Sequence, residues 1–360
     1  MTVVLALIFI LCAIAQGIVW IFLIELVVKS QCQLTTKNSG VSVIIAAKNE
    51  ALALAQNLPL VLDQEYHEFE VIVVDDHSTD PTPKVLSAFK KKFSEQLVVL
   101  SLPEGTKGKK MALQAGLAAS RFQDLLLTDA DCRPLTSHWI ASMTASLTER
   151  KKIVLGVSPV IPAAGFASHF HAFDVIYITV LYMSMASKGM PYMGVGRNIA
   201  YRKEILDCVP GHYFEESSGD DDLLVNHSAT CENTTTAACP SAMTTSPAVS
   251  NWKTFLQQKI RHFSISYHYK IAHKILLTLI ALSHWLFLAT AILLVFTPWI
   301  WIVLTLYVLR IFIIYFKTLH AFRQISQPLP LLMPIFDLMY LPYYPLTFLL
   351  MIRRPGYQWR

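Results

Sequence analysis

The chain has 360 residues, 54% of them hydrophobic and 15% charged, with a formal net charge of +5. Soluble domains are less apolar and carry about 25% charged residues, so the composition excludes a wholly water-soluble protein and places part of the chain in a membrane. The basic excess is small and lies partly beside apolar runs, and no aromatic–basic interleaving occurs; this argues for contact with an anionic lipid surface and against a nucleic-acid partner.

The first predicted element is an apolar run, VVLALIFILCAIAQGIVWIFLIELVV at residues 3–28, whose one formal charge is Glu25. A helix of that length crosses a hydrocarbon core of roughly 30 Å. AIA at 13–15 resembles a signal-peptidase site, but no Lys or Arg precedes the run and it stays apolar well past that point, so residues 1–30 read as an uncleaved anchor.

Residues 38–265 read as one domain of ordinary size. Apolar, β-branched runs ending in polar groups occur at VSVIIAAKNE (41–50), EVIVVDDHSTD (70–80), EQLVVLSL (95–102) and DLLLTDAD (124–131). Helix-like stretches at 50–64, 81–93 and 109–121 separate them. Strands alternating with helices imply an α/β fold with a mainly parallel sheet covered on both faces. In such sheets ligands bind beyond the carboxyl ends of the strands. Three strand ends carry the acids expected of a nucleotide–metal site: Glu50, Asp75 with Asp76, and Asp129 with Asp131.

Asp129 and Asp131 are two residues apart, so an extended backbone points both carboxylates to one side. Paired carboxylates repel unless a cation lies near, and Mg²⁺ favours oxygen ligands shared with phosphates. A strand end in water or a helix cap is the plainer reading. Asp75 and Asp76 equally suit a local turn or the N–H of a nucleotide base; Glu50 suits ribose hydroxyls or a helix N-cap. The loop GTKGKKMALQAG (105–116) puts Lys109 and backbone N–H groups where a diphosphate could sit, or is simply a basic surface loop.

Further along, residues 164–193 are aromatic- and Met-rich and read as domain core or as an interfacial helix lining a lipid entrance. GVGRNIAYRK (194–203) reads as a glycine turn feeding a short strand. SSGDDDLLVNH (218–228) sets three acids before a helix, more than dipole stabilisation requires. LQQKIRH (256–262) places Gln258 and Arg261 on one helical face. Apolar runs at 275–296, 299–316 and 329–352 give two to three further spans within 270–360, the last interrupted by prolines and Asp337. Lys29, Lys37 and Lys48 after the first span, and Lys259, Arg261, Lys270 and Lys274 before the second, place the domain in the cytoplasm. Three C-terminal crossings would leave Arg353 and Arg354 outside, so whether 329–352 crosses stays open. Six cysteines show no zinc-like spacing and are expected to be reduced in that compartment.

In this order, VSVIIAAKNE, VVDDHSTD, GKKMALQAGL, TDADC, GDDDLL and the QxxR segment resemble the family 2 glycosyltransferases with a GT-A fold, over about residues 40–265. The membrane layout resembles ceramide glucosyltransferase-like and cellulose or hyaluronan synthase-like members. The resemblance implies a nucleotide sugar, such as a UDP-sugar, at Ala47, Glu50, Asp75, Asp76, Lys109 and Asp129. It implies Mg²⁺ or Mn²⁺ on Asp131 with Asp129 beside it, Asp220 as general base with Asp221 as its close rival, and Gln258 and Arg261 near donor and acceptor. The implied reaction is an inverting transfer of one hexose to a membrane lipid. A processive polysaccharide synthase is the alternative, and a membrane nucleotidyltransferase a more distant one. Two departures stand out: Ala46 replaces the proline usual after the first strand, and His262 replaces the Trp of QxxRW.

Overall fold

The computed structural model describes residues 1–25, 39–209, 221–324 and 332–353. The expected alternation is present. β1 (Val41–Ala47), β2 (Phe69–Asp75), β3 (Leu97–Ser101) and β4 (Asp124–Asp129) alternate with α2 (Ala51–Leu62), α3 (Thr82–Lys92) and α4 (Lys109–Ala119). β1 lies between β2 and β4, parallel to both, and β3 pairs parallel with β2. Every residue of β1 and β2 is buried. That is why these strands read as continuous apolar runs: helices cover both faces. α4 packs closely on β1 because Gly116 has no side chain; a Cβ there would stand 2.7 Å from Ile44 Cγ2.

Beyond β4 the sheet turns mixed. β8 (Ile199–Arg202) pairs antiparallel with β4 and with β6 (Ile153–Gly156), and β9 (Thr234–Ala237) adds parallel to β6. The strand order is β3-β2-β1-β4-β8-β6-β9. A small second sheet joins β5 (Arg133–Pro134), β10 (Thr244–Pro247) and β7 (Val160–Ile161) in the order β5-β10-β7. α5 (Trp139–Thr144) and α7 (Asp222–Ser228) are short connecting helices.

Among the described residues, five helices are long and apolar enough to cross a membrane. One of them, α6 (Phe166–Ser187), is buried along most of its length, so residues 164–193 contribute core to the domain. The others are α1 (Thr2–Ile18, continued by one π-helical turn to Leu23), α9 (Ile271–Leu294), α10 (Ile300–Gln324) and α11 (Met333–Arg353). α11 stays helical through Pro342 and Pro345, so the irregular last run of the sequence forms a membrane-length helix. Between domain and bundle runs α8 (Trp252–Ser266), which ends five residues before α9 begins.

Aromatic packing ties these parts together. Phe170 of α6 lies 5.5 Å from Phe255 of α8 and 5.9, 5.8 and 6.0 Å from Phe336, Tyr340 and Tyr343 of α11. Phe9 of α1 stacks on Phe287 of α9 at 4.9 Å. Within the bundle a polar chain crosses four helices. Gln16 Nε2 donates to Ser283 Oγ at 2.8 Å, and Gln16 Oε1 accepts from Arg310 Nη2 at 3.3 Å. Arg310 Nη1 meets Asp337 Oδ2 at 2.6 Å, and His284 Nε2 lies 3.2 Å from Asp337 Oδ1.

Of the described cysteines, Cys12, Cys132, Cys208 and Cys231 are free, but Cys239 is disulfide-bonded. This corrects the expectation of uniformly reduced thiols. A disulfide persists in an oxidising environment, so cysteine usage lends no support to a cytoplasmic assignment.

The buried ion pair generates a prediction. Asp337→Ala strands the Arg310 guanidinium, and breaking such a pair costs about 3–5 kcal/mol. The thermal midpoint in detergent should fall sharply. The double change Arg310→Met with Asp337→Leu should recover most of it, and a melt that leaves the double variant as unstable as the single one would refute a simple pairing role.

Candidate active site

The register of β1 assembles the acids. Ala47 lies opposite Asp75 of β2, and Ala46 opposite Asp129 of β4. Ala47, buried at the end of β1, accepts the Asp76 N–H on its carbonyl at 2.9 Å. Asp76 is fully buried and is the junction of three segments: its Oδ2 accepts from Lys48 Nζ at 3.1 Å and from the Gly108 N–H at 3.0 Å, and its Oδ1 lies 3.1 Å from His77 Nδ1. Burial pushes its carboxyl up, but the bonds from His77, Lys48 and Gly108 outweigh this and hold it below the ordinary range. Gly108, which caps α4, has φ +113°, a region glycine enters without strain. Asp75 accepts from Ser78 Oγ and, at 3.4 Å, from the Ser78 N–H.

Glu50 occupies the N-cap position of α2 without making a side-chain cap bond. Its carboxyl is pushed up to about 7 by burial and then by Asp131, Asp129 and Asp80. Asp131 is likewise raised, by burial and by Asp129. Asp129 is half-buried; desolvation pushes it up, but the Lys109 ammonium, 2.6 Å from its Oδ1, with help from Arg197 and Arg261, outweighs this and holds it low. Lys109 therefore meets Asp129 in this structure. Two carboxyls, Glu50 and Asp131, are raised in part by their neighbour Asp129, and a divalent cation would relieve that repulsion. Among the described residues no three His, Cys, Asp or Glu side chains form a metal-binding group. Asp131 and Asp129 would thus supply a minority of the ligands, as is usual for Mg²⁺ completed by phosphate and water.

Beside the acids opens a cavity of about 410 Å³. Lys109 and Asp129 line one end. Gly196 and Arg197 from the segment before β8, Asp221 and Asp222 from α7, and Gln258, Lys259, Arg261 and His262 from α8 line its middle. Tyr177 and Tyr182 of α6, Leu277, Thr278, Ile280 and Ala281 of α9, and Tyr340, Tyr343 and Tyr344 of α11 continue it into the helical bundle. α6 is thus both domain core and cavity wall.

The expected Gln258 and Arg261 stand on α8, whose N-terminus is capped by Asn251 Oδ1 accepting the Thr254 N–H at 2.9 Å. Gln258 Oε1 is buried with no hydrogen-bond partner in the described structure. A group in that condition calls for a donor from a bound molecule. Asp220 lies outside the described residues. Asp221 is the N-cap of α7: its Oδ1 accepts the Asp222 N–H at 3.0 Å, and its Oδ2 accepts the Gly196 N–H. His262 stands 3.8 Å from Asp222 Oδ2. Its side chain is 45% exposed, yet enclosure in the cavity, with Arg261, Lys259, Arg197 and Lys109 nearby, pushes it below the usual histidine range.

The sequence reading missed four cavity groups: Arg197, His171, and the buried pair of Lys259 with Asp174. The signal available for the pair was a lone aspartate in the apolar run that became α6. Arg197 was hidden in a glycine-bounded turn.

Residues 42–209 match the family model for glycosyl transferase family 2. The chain is 34% identical over 107 residues to a poly-β-1,6-N-acetyl-D-glucosamine synthase of Staphylococcus epidermidis, covering 30% of this chain and 24% of that protein. It is 33% identical over 95 residues to a β-monoglucosyldiacylglycerol synthase of Nostoc sp., covering 26% and 20%. The chain thus spans about a quarter or less of the length of these relatives. Among solved structures, a mannosyltransferase from Pyrobaculum calidifontis superposes with a TM-score of 0.58 at 16% identity, covering 96% of this chain and 97% of that one. Residues 42–209 thus match the glycosyl transferase family 2 model within a fold shared with the Pyrobaculum protein, and among the described residues this region is joined to helices of membrane-spanning length.

Proposed function

We propose that the protein is an inverting, metal-dependent glycosyltransferase that moves a hexose from a nucleotide sugar, a UDP-sugar in the first instance, to a lipid acceptor in the membrane. The observation that carries this reading is the cavity: it runs from Lys109 and Asp129 at the donor end to residues of α9 and α11. A donor in water and an acceptor in lipid can meet in such a space. The Pyrobaculum protein of the same fold was solved with GDP-Man and Mn²⁺, which supports a nucleotide-sugar donor and a divalent metal. The Nostoc relative's name supports a glycolipid product, while the Staphylococcus relative's name keeps a polysaccharide product as the second reading. We assign the domain to the cytoplasmic side on the basic groups flanking the spans.

In this reading Ala47, Glu50, Asp75 and Asp76 form the wall against the nucleotide, and Asp131 with Asp129 would hold the metal. When bound, the metal supplies charge neutralisation for the departing diphosphate. Asp221 faces the cavity and keeps unused lone pairs on both oxygens after accepting its two backbone bonds. It takes the acceptor hydroxyl's proton as that oxygen attacks the anomeric carbon. The bond to the diphosphate breaks with its electron pair on the leaving oxygen, beside Arg261. One attack from the far side inverts the configuration. Gln258 Oε1 accepts a hydroxyl proton donor of the substrate and orients it.

The deciding experiment is nucleoside diphosphate release by purified protein over a panel of UDP- and GDP-sugars, with membrane lipid extract as acceptor. Turnover should need both lipid and divalent metal, and full activity in excess chelator would remove the metal from the mechanism. Mass spectrometry should find one added hexose per lipid; a ladder of additions would favour the polysaccharide reading.

Two variants test the roles. Asp131→Asn should fold normally and lose turnover by several orders of magnitude, since metal and electrostatic stabilisation of a leaving group supply several kcal/mol. Asp221→Asn should slow turnover roughly 10²–10⁴-fold while nucleotide-sugar affinity by calorimetry stays near normal.

Glu50 gives a pH test. Its folded carboxyl titrates near 7 rather than 4.5, so the fold disfavours the charged form. The penalty is absent below about pH 4.5, grows between 4.5 and 7, and is complete above 7. In chelator, Glu50→Gln should therefore melt higher than the wild type at pH 8 and level with it at pH 4. Equal midpoints at both pH values would contradict this environment.

A further inference from the structure

Arg197 lines the cavity and helps to hold Asp129 low, but takes no part in the transfer steps above. Its neighbours among the cavity cations are matched: Lys109 pairs with Asp129 and Lys259 with Asp174. Arg197 forms no ion pair with any described carboxylate. Its side-chain bond in the described structure runs from Nη1 to the Ser246 hydroxyl at 3.2 Å. Its charge is nevertheless felt on two sides of the cavity, by Asp129 and Asp131 at the donor end and by His262 on α8.

The backbone that presents it is fixed from several directions. The Arg197 carbonyl accepts from Thr128 Oγ1 and from Thr244 Oγ1, both at 3.0 Å. Next to it the Asn198 side chain is fully buried. Its Nδ2 donates to Val157 O at 2.9 Å and Ala242 O at 2.7 Å, and its Oδ1 accepts from Trp139 Nε1 at 3.0 Å. On the other side the Gly196 N–H is held by Asp221. A half-buried guanidinium with a rigid base and no anionic partner is costly to keep. It is also the side chain best shaped for two parallel bonds to a phosphate. His171 adds a second donor. Its Nδ1 accepts the Val249 N–H at 3.0 Å, which puts the ring proton of this cavity-lining residue on Nε2.

We propose that Arg197 is the anchor of an oxyanion subsite in the cavity, and that it binds a phosphate group of a substrate. The inference rests on the glycosyltransferase reading above. Two substrates bring phosphate to this place: the donor through its diphosphate, and an acceptor whose lipid carries a phosphate at its head.

The test uses the full-length protein in detergent and two variants, Arg197→Gln and Arg197→Lys. Neither removes the backbone bonds that fix the segment, and a thermal melt within a few degrees of wild type shows that they fold. UDP, GDP, uridine and guanosine binding is measured by calorimetry in Mn²⁺. Inhibition of turnover by dodecyl phosphate is measured against dodecanol. With the donor as source, Arg197→Gln weakens nucleoside diphosphate binding by about 10²-fold, leaves nucleoside binding unchanged, and Arg197→Lys falls between. With the acceptor as source, nucleotide affinity is retained and the preference for dodecyl phosphate over dodecanol, present in wild type, is lost. Variants that keep both wild-type affinity and wild-type preference overturn the subsite. A wild-type protein that binds neither UDP nor GDP overturns the glycosyltransferase reading itself, and is distinguished by failing before any variant is compared.

Discussion

The register of β1 is the constraint on which the acid-lined end of the cavity depends. Because β1 is paired parallel on both sides, its last two residues fix the neighbouring strand ends at once: Ala47 against Asp75 and Ala46 against Asp129. A slip of one residue would turn every side chain of the strand to the opposite face. It would also part the Asp76 N–H from the Ala47 carbonyl. Asp76 then extends the constraint to α4, since the same carboxylate that holds Lys48 also holds the Gly108 N–H. Lys109 follows directly, and so its meeting with Asp129 is set by the same junction. Small residues at 46 and 47 keep the backbone itself, without bulky side chains, at the place where acids from three strands converge.

The membrane helices are part of the same construction. α6 is buried in the domain along one side and forms the cavity wall on another, and Phe170 carries its packing outward to α8 and α11. The QxxR residues therefore stand on a helix that is clamped between soluble core and bundle. This explains how a cavity can be polar at the acids and tyrosine-lined a short distance away. Tyr340 illustrates the join: it sits on α11 while its hydroxyl donates to Asp174 of α6 at 2.7 Å, and Asp174 in turn pairs with Lys259 of α8. A contact in the bundle and a group lining the cavity are thus two hydrogen-bonded steps apart.

The first half of the domain was legible because buried parallel strands leave a simple trace: an unbroken apolar run that stops at polar residues. β1, β2 and β4 all do so, and their ends named Glu50, Asp75, Asp76, Asp129 and Asp131 before any coordinates were needed. The second half leaves no such trace. Its strands are two to four residues long, and some are made mostly of Thr, Ser and Pro, as in TTTA at 234–237 and TTSP at 244–247. Their pairing is long-range and sets the position of Arg197 through Asn198 and Thr244, neither of which stands out in sequence. The run of three acids at 220–222 could not be resolved by counting, because adjacent identical side chains differ only in direction. The structure distinguishes two of them: Asp221 caps α7 and reaches the Gly196 N–H, and Asp222 turns toward His262. Cys239 was misjudged for a related reason, since pairing depends on proximity in space and not on spacing.

The polar chain through Gln16, Arg310 and Asp337 bears on how the molecule is made. A charged residue at the centre of a lone helix costs about 2.5–3.5 kcal/mol to insert; α10 carries Arg310 near its middle, and α11 carries Asp337 in its second turn. Their charges neutralise each other only once both helices are side by side, and Gln16 completes the set only if α1 is already in the bilayer. In a chain inserted in the order of its synthesis, the first helix would wait through synthesis of the whole domain, and the last two would enter lipid most cheaply as a unit. During that interval the ribosome and the insertion machinery hold a chain whose Arg310 has emerged and whose Asp337 has not. A nascent protein stalled there exposes an unneutralised charge to lipid, the kind of defect by which membrane quality control recognises an unfinished protein.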